Sequence, residues 1–189
     1  EDFNFKPLEV VVTPYGKIFV IAEGVHEGLL EFYSDGVFGG FVGAPRVTPN
    51  LFEVFLRKIS TEKQKSQMSL FLSTEYQALD IDEEGFLFAS SENNIKRLNP
   101  EGEDILTENG FFPPLGDVAV RNSKNPSFFE DIACRPGGSY SVLDRKRGRI
   151  FTYDRWGHLL YVFGGLGKTK NLFDTPTAID TMKDRLFVL

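Results

Sequence analysis

Cysteine and histidine, the side chains that build most zinc and redox centres, are nearly absent. The 189 residues include one cysteine, Cys134, and two histidines, His26 and His158. A lone cysteine forms no intramolecular disulfide, and neither histidine has a second His or Cys at ligand spacing, which argues against zinc. No apolar run approaches the ~18–20 residues that span a bilayer, and no signal-peptide pattern opens the sequence, so it reads as mature or excised from something longer. Catalytic signatures are missing too. There is no Gly-x-Ser-x-Gly elbow, P-loop or dinucleotide fingerprint. Phe163-Gly-Gly-Leu-Gly167 follows an expected outer strand and lacks the βαβ context of a phosphate loop. Positive charge is in deficit, 21 Lys and Arg against 27 Asp and Glu, net −6. That balance argues against a nucleic-acid partner, which needs a basic face. The one basic run is Arg145-Lys-Arg-Gly-Arg149.

What the chain has in quantity is phenylalanine, 19 residues, and glycine, 18. They are not scattered. One pattern of strand, turn, strand, turn, strand, turn, strand runs from Asp131 to Gly165, with turns at Gly138, Gly148 and Gly157. A second copy runs from Leu8 to Gly43 with turns at Gly16 and Gly36, and a third from Tyr76 to Gly110 with turns at Gly85 and Gly102. A fourth starts at Pro176 and reaches its second strand at Leu189. Aligned on these glycines, the second strands become Lys17–Ile21, Phe86–Ser90, Ser139–Leu143 and Arg185–Leu189, rich in aromatic and β-branched residues. The first strands carry an apolar column of Val10, Leu79, Ile132 and Ala178. Val12, Ile81 and Cys134 lie on the same face because strand side chains alternate with period two, and Asp180 interrupts that second row. Repetition of a four-stranded unit at this period predicts an all-β fold, a β-propeller.

The repeat is interrupted between Gly43 and Tyr76. Leu51, Phe52, Phe55, Leu56 and Ile59 follow the i, i+3, i+4, i+7 spacing of an amphipathic helix, with Thr48 or Asn50 as its cap. Thr61 and Gln64 form a capping-box pattern for a second short helix reaching about Met68. The domain is therefore read as one partial propeller over 1–189. Its parts are a blade at 5–44, a helical insertion at 45–72, blades at 73–112 and 113–167, and the start of a further blade at 172–189. The insertion is either a rim elaboration that buries its own Phe stripe or a lid or partner-docking element.

Pro176-x-x-Ile-Asp180, Leu143-Asp-x-x-x-x-Arg-Ile150, Tyr153-Asp-x-x-Gly157 and Phe163-Gly-Gly165 resemble the NHL repeat, a propeller repeat usually found in six blades. Phe41–Ala44, Ser60–Gln64, Tyr76–Phe88, Leu98–Pro100 and Ser141–Asp144 are similar to a group of NHL-repeat proteins of Gram-positive bacteria. The resemblance implies export or linkage to a membrane, with the domain outside the cytoplasmic membrane. It brings no catalytic residues. The chain departs from the pattern at Asn94, where the Arg149 of the third unit would stand.

Two sets of residues carry the functional expectations. The first is the loop face: His26 and Glu27, Asn93 and Asn94, and Arg145, Arg147 and Arg149 occupy equivalent second-to-third-strand hairpins whose chemistry varies while the strands do not. In that hairpin Asp144 and Arg149 either pair across the turn or leave the arginine to bind anions. The second set is Asp80, Asp82, Asp131 and Asp180 on the first strands, which line the channel of a propeller. They are either solvated or hold a calcium ion through oxygen ligands. Cys134, in an apolar column, reads as a small buried hydrophobe. The functional expectation is a noncatalytic binding or scaffold module for a protein, peptide or glycan, with no cofactor. The alternative is a metal-dependent hydrolase or lyase of the six-bladed lactonase or amidating-lyase kind, using the channel carboxylates. At about 40–50 residues per blade the chain supplies roughly three and a half blades. Open blade edges leave backbone donors and acceptors unpaired. The chain is therefore expected to be a fragment of a larger propeller and, alone, to form a homodimer through its edges. Light scattering checks this: a dimer is expected, and a stable folded monomer contradicts it.

Overall fold

The computed structural model describes residues 5–43, 75–91, 94–108, 116–117 and 127–189. The expected helical insertion lies outside them. The described residues build four antiparallel sheets in chain order. The first contains β1 (Pro7–Val12), β2 (Ile18–Ala22), β3 (Leu29–Phe32) and β4 (Phe38–Val42). The second contains β5 (Ala78–Ile81), β6 (Leu87–Ser91) and β7 (Asn94–Leu98), and the third β8 (Phe129–Cys134), β9 (Tyr140–Asp144), β10 (Arg149–Tyr153) and β11 (Leu159–Gly164). The fourth is the hairpin of β12 (Ile179–Met182) and β13 (Arg185–Val188). Within each sheet neighbours in sequence are neighbours in space. Between sheets, β1 meets β5, β5 meets β8 and β8 meets β12. The first strands thus lie innermost and the sheets fan round them as blades. The fold is an all-β propeller.

One turn geometry recurs six times. In β1–β2, Thr13 N donates to Lys17 O and Gly16 N to Thr13 O; Asp82 with Phe86 and Gly85, and Arg135 with Ser139 and Gly138, repeat the pattern in β5–β6 and β8–β9. Tyr33, Asn99 and Asp154 open the same turn after the third strands, closed by Gly36, Gly102 and Gly157. All six glycines have φ between 79° and 90°. A Cβ clashes with the backbone in that left-handed region, so the glycine spacing of the sequence is a record of turn geometry.

The blades bury their faces against one another. Phe19, Ile21 and Leu29 of the first blade pack with Leu79, Leu87, Ala89 and Leu98 of the second. The opposite face of the second, Ala78, Phe88 and Ile95, packs with Phe129, Ile132, Tyr140, Val142 and Phe151 of the third. Ala133, Leu143 and Ile150 then receive Ile179. Alternation along each strand sends successive residues to different seams, which is why the second strands of the first three blades are buried almost throughout. Phe88 sits at the centre, fully buried, its ring 4.6 Å from that of Tyr140.

The apolar column is present, with two corrections. Its first members, Val10 and Val12, are more than half exposed, because their face of the first blade turns away from the second. In the fourth blade Ile179, not Ala178, fills the slot against the third. The two-residue turn Lys183–Asp184 is shorter than the five-residue turns elsewhere, so alignment on the glycines slips by one residue. Among the described residues the second blade has three strands. After the bridge Leu98–Asp104 the chain forms a single helical turn, α1 (Ile105–Glu108), with Asp104 Oδ1 accepting from Leu106 N at 3.2 Å as an N-cap. Among the described residues, no helix is long and apolar enough to cross a membrane. Phe88→Ala opens a cavity between two blades and is expected to cost about 3–5 kcal/mol of stability in denaturant unfolding. A loss below about 1 kcal/mol would contradict the packing described.

Candidate functional site

An innermost strand has a neighbour on one side only, so its other edge presents backbone N–H groups to the axis. Carboxylates from the preceding blade meet three of them. Glu9 Oε2 accepts from Leu79 N at 2.6 Å, Asp80 Oδ2 from Cys134 N at 2.6 Å, and Asp131 Oδ2 from Ile179 N at 2.7 Å. The other oxygens of Asp80 and Asp131 accept from the following amides, Ile81 N and Ile132 N, at 2.7 and 2.8 Å. Glu9 and Asp131 occupy equivalent positions, and so do the amides they cap. The second blade has Ala78 there. Its acid, Asp80, stands two residues further along the same face and caps an amide two residues further along β8.

Two of the four expected channel carboxylates, Asp80 and Asp131, are thus seam acceptors. Glu9, absent from the sequence-based set, is the third. Its signal was positional: it lies seven residues before Gly16, as Asp131 lies seven before Gly138. Asp180 is exposed, accepts from Thr181 N at 2.6 Å, and repels the charges of Asp80 and Asp131. Burial raises the pKa values of Asp80 and Asp131 above the usual carboxylate range, opposed by their backbone hydrogen bonds. For Glu9, burial and the charge of Asp131 lift it to about 8.

Asp82 is not in the channel at all. It opens the β5–β6 turn, its Oδ1 accepting from Glu84 N and Phe86 N at 3.0 and 2.9 Å. Its Oδ2 takes Arg97 Nη2 at 2.9 Å in a pair whose side chains are 3% and 4% exposed. The Arg97 guanidinium lies over Phe86 and Phe88, 4.2 and 5.4 Å from the ring centroids. Among the described residues no three His, Cys, Asp or Glu side chains gather as a metal-binding group. Burial holds the Cys134 thiol well above its ordinary pKa, the opposite of an activated nucleophile.

Antiparallel order places the β2–β3 loops at one end of the propeller and the β1–β2 and β3–β4 turns at the other. The loop end carries the expected binding residues. His26 N donates to the Glu27 carboxylate at 3.1 Å in the exposed loop of the first blade. Asn94 begins β7, opposite Ser91, and Asn93 lies outside the described residues. The three arginines of the third blade's loop are in ion pairs: Arg145 with Glu130 at 3.1 Å, Arg147 with Asp144 at 3.2 Å, and Arg149 with Asp117 at 2.8 Å. The expected Asp144–Arg149 pair is replaced. Asp144 is fully buried and takes Ser127 Oγ, Phe128 N, Lys146 N and Arg147, while Arg149 turns outward to Asp117. The cross-strand register sets their backbones opposite each other, but Ser127, Phe128, Lys146 and Arg147 already fill the Asp144 carboxylate.

No protein-family model and no curated protein sequence matches the chain. Solved structures do, at low identity. A catalytically inactive virginiamycin B lyase from Staphylococcus aureus, with quinupristin, superposes with a TM-score of 0.58 at 11% identity, over 97% of this chain and 48% of the lyase. The WD40 domain of Pan2 from Neurospora crassa gives 0.54 at 6% identity, over 97% and 43%. PorZ, a surface component of the type-IX secretion system of Porphyromonas gingivalis, gives 0.51 at 14%, over 98% and 24%. The chain spans about half the length of the first of these or less. At such identities the likeness shows the β-propeller fold.

The seam acids generate two predictions. Asp131→Ala leaves the buried Ile179 amide unpaired and is expected to cost about 1–3 kcal/mol in unfolding experiments. No loss would remove the seam role. Glu9 has its folded pKa raised to about 8 from 4.5. Its contribution is therefore complete below the unfolded value and is lost as pH rises through the folded one. Compared with Glu9→Gln, the wild type should lose thermal stability between about pH 5 and 8. A difference that stays constant over that range would show that Glu9 ionises freely.

Proposed function

We propose that this chain is a noncatalytic, NHL-type propeller module that binds a protein, peptide or glycan partner at a cell surface. One observation carries the reading. The axial carboxylates, which a propeller hydrolase or lyase would use to hold a metal, already accept backbone amides of the neighbouring blade. Withdrawing them to ligate a cation would unpair the seams. The loop end, by contrast, varies in chemistry from blade to blade on a constant framework: an exposed His26–Glu27 loop in one, an arginine-rich hairpin tied by ion pairs in another. Recognition by loops on a rigid scaffold is the usual division of labour in such folds. The extracytoplasmic setting rests on the NHL-like motifs, and the surface location of PorZ agrees with it. A net charge of −6 favours partners other than nucleic acid.

Two measurements test the proposal. Metal analysis of the purified protein is expected to give no stoichiometric metal; calcium or zinc bound through Asp80, Asp131 or Asp180 would favour the hydrolase or lyase alternative. Arrays of cell-surface glycans and peptides, probed with the wild type and with a His26→Ala, Glu27→Ala variant, should show a ligand whose binding falls by about tenfold or more in the variant. Equal binding by both proteins would move recognition away from that loop.

A further inference from the structure

At the turn end of the propeller one arginine, Arg135, stands where the neighbouring blade has an acid. Three β1–β2-type turns open on equivalent residues, Thr13, Asp82 and Arg135. The third-strand residue facing each is fixed by the ladders: Arg97 stands opposite Phe88 in the second blade, as Thr152 stands opposite Ser141 in the third. The second blade thus sets Asp82 against Arg97 and closes the site with a buried ion pair. In the third blade both partners differ. Arg135 replaces the acid and Thr152 replaces the arginine, so the buried ion pair of the second blade has no equivalent here. Arg135 donates to the Tyr161 hydroxyl and, at 3.3 Å, to the carbonyl of Asp184. Among the described residues it makes no ion pair, in contrast to Arg145, Arg147 and Arg149 at the opposite end.

Arg135 also borders open space. A cleft of about 370 Å³ between the third and fourth blades is lined by Arg135, Ser139, Thr152, Tyr161, Lys183 and Asp184. We infer that this cleft binds a carboxylated sugar, whose carboxylate meets Arg135 and Lys183 as Asp82 meets Arg97 one blade earlier. A planar guanidinium, already oriented by two neutral acceptors, suits bidentate recognition of a carboxylate. Ser139 and the Asp184 carboxylate offer an acceptor set for sugar hydroxyls, and the exposed ring of Tyr161 offers an apolar wall. The volume lies in the range of small-ligand pockets. The wall formed by Lys183 and Asp184 is a two-residue turn and not a strand edge, so an extended peptide would find no ladder of backbone groups there.

The inference deepens the binding-module reading and rests on it, but it concerns the other end of the molecule. Heteronuclear NMR titration of the full chain with galacturonate, glucuronate, galactose and a short peptide with a free C-terminal carboxylate tests it. The uronates are expected to shift the amides of Arg135, Gly137, Gly138, Ser139, Lys183 and Asp184, with neutral galactose weaker by about tenfold or more. Arg135→Ala should reduce uronate affinity by at least about tenfold, and Lys183→Ala, a fully surface change, by a smaller factor. Lys6→Ala, which removes an exposed ion pair with Glu23 in the first blade, should leave it unchanged. Absence of shifts with uronates up to ~10 mM, equal binding of galactose, or retention of affinity in both Arg135→Ala and Lys183→Ala would overturn it. So would preference for the peptide. Loss of uronate binding with array binding through His26 and Glu27 intact would remove the cleft and keep the module reading.

Discussion

The inner edge of the propeller is the constraint on which everything else rests. Each blade's first strand must leave one row of amides without a ladder partner, and a dry axis would make those amides costly. The chain answers with one acid per seam, projecting from the strand before. The bonds from Glu9, Asp80 and Asp131 run in one direction round the axis, each blade capping the next. They fix how far one blade is displaced along its neighbour, and so set which apolar residues meet across the seam. The carboxylates accept this duty at an electrostatic cost, seen in their raised pKa values; Glu9, lifted to about 8, bears it most plainly. An acid required to stay protonated or hydrogen-bonded for the fold is poorly placed to ligate a metal or carry a proton for catalysis.

Between the blades the same logic of substitution at equivalent positions distributes chemistry. Asp82 and Arg97 make one site self-sufficient, with the guanidinium lying over two phenylalanine rings. Arg135 and Thr152 leave the corresponding site without that pair. At the other end, Asp144 collects donors both from its own hairpin and from the segment leading into β8, and Arg145 and Arg149 pair instead with Glu130 and Asp117. Repetition thus supplies the frame, and the departures from repetition supply the individuality of each blade.

Strand positions, turns and blade faces were legible because each is a local property. A glycine at the fourth place of a five-residue turn, or an apolar residue every second position, means the same thing wherever it occurs. Reading went astray where the outcome depended on a partner distant in sequence. Asp82 sits on the same stretch as Asp80, yet a turn rotates it away from the axis toward Arg97. Arg149 lies opposite Asp144 in the ladder, yet Asp117 takes it. Ala178 lost its column to Ile179 because the last hairpin turns in two residues and not five. Glu9 shares its place before the turn glycine with Asp131, but that spacing alone does not say that an amide 70 residues away needs its carboxylate.

Repeated antiparallel units and the places of their turns could be read from the residues alone, because backbone sterics and side-chain alternation act over a few residues. Which charged groups the fold consumes depended on how the blades pack. Charge pairing is settled by distance in space, and the fan of blades brings together residues that the chain keeps far apart.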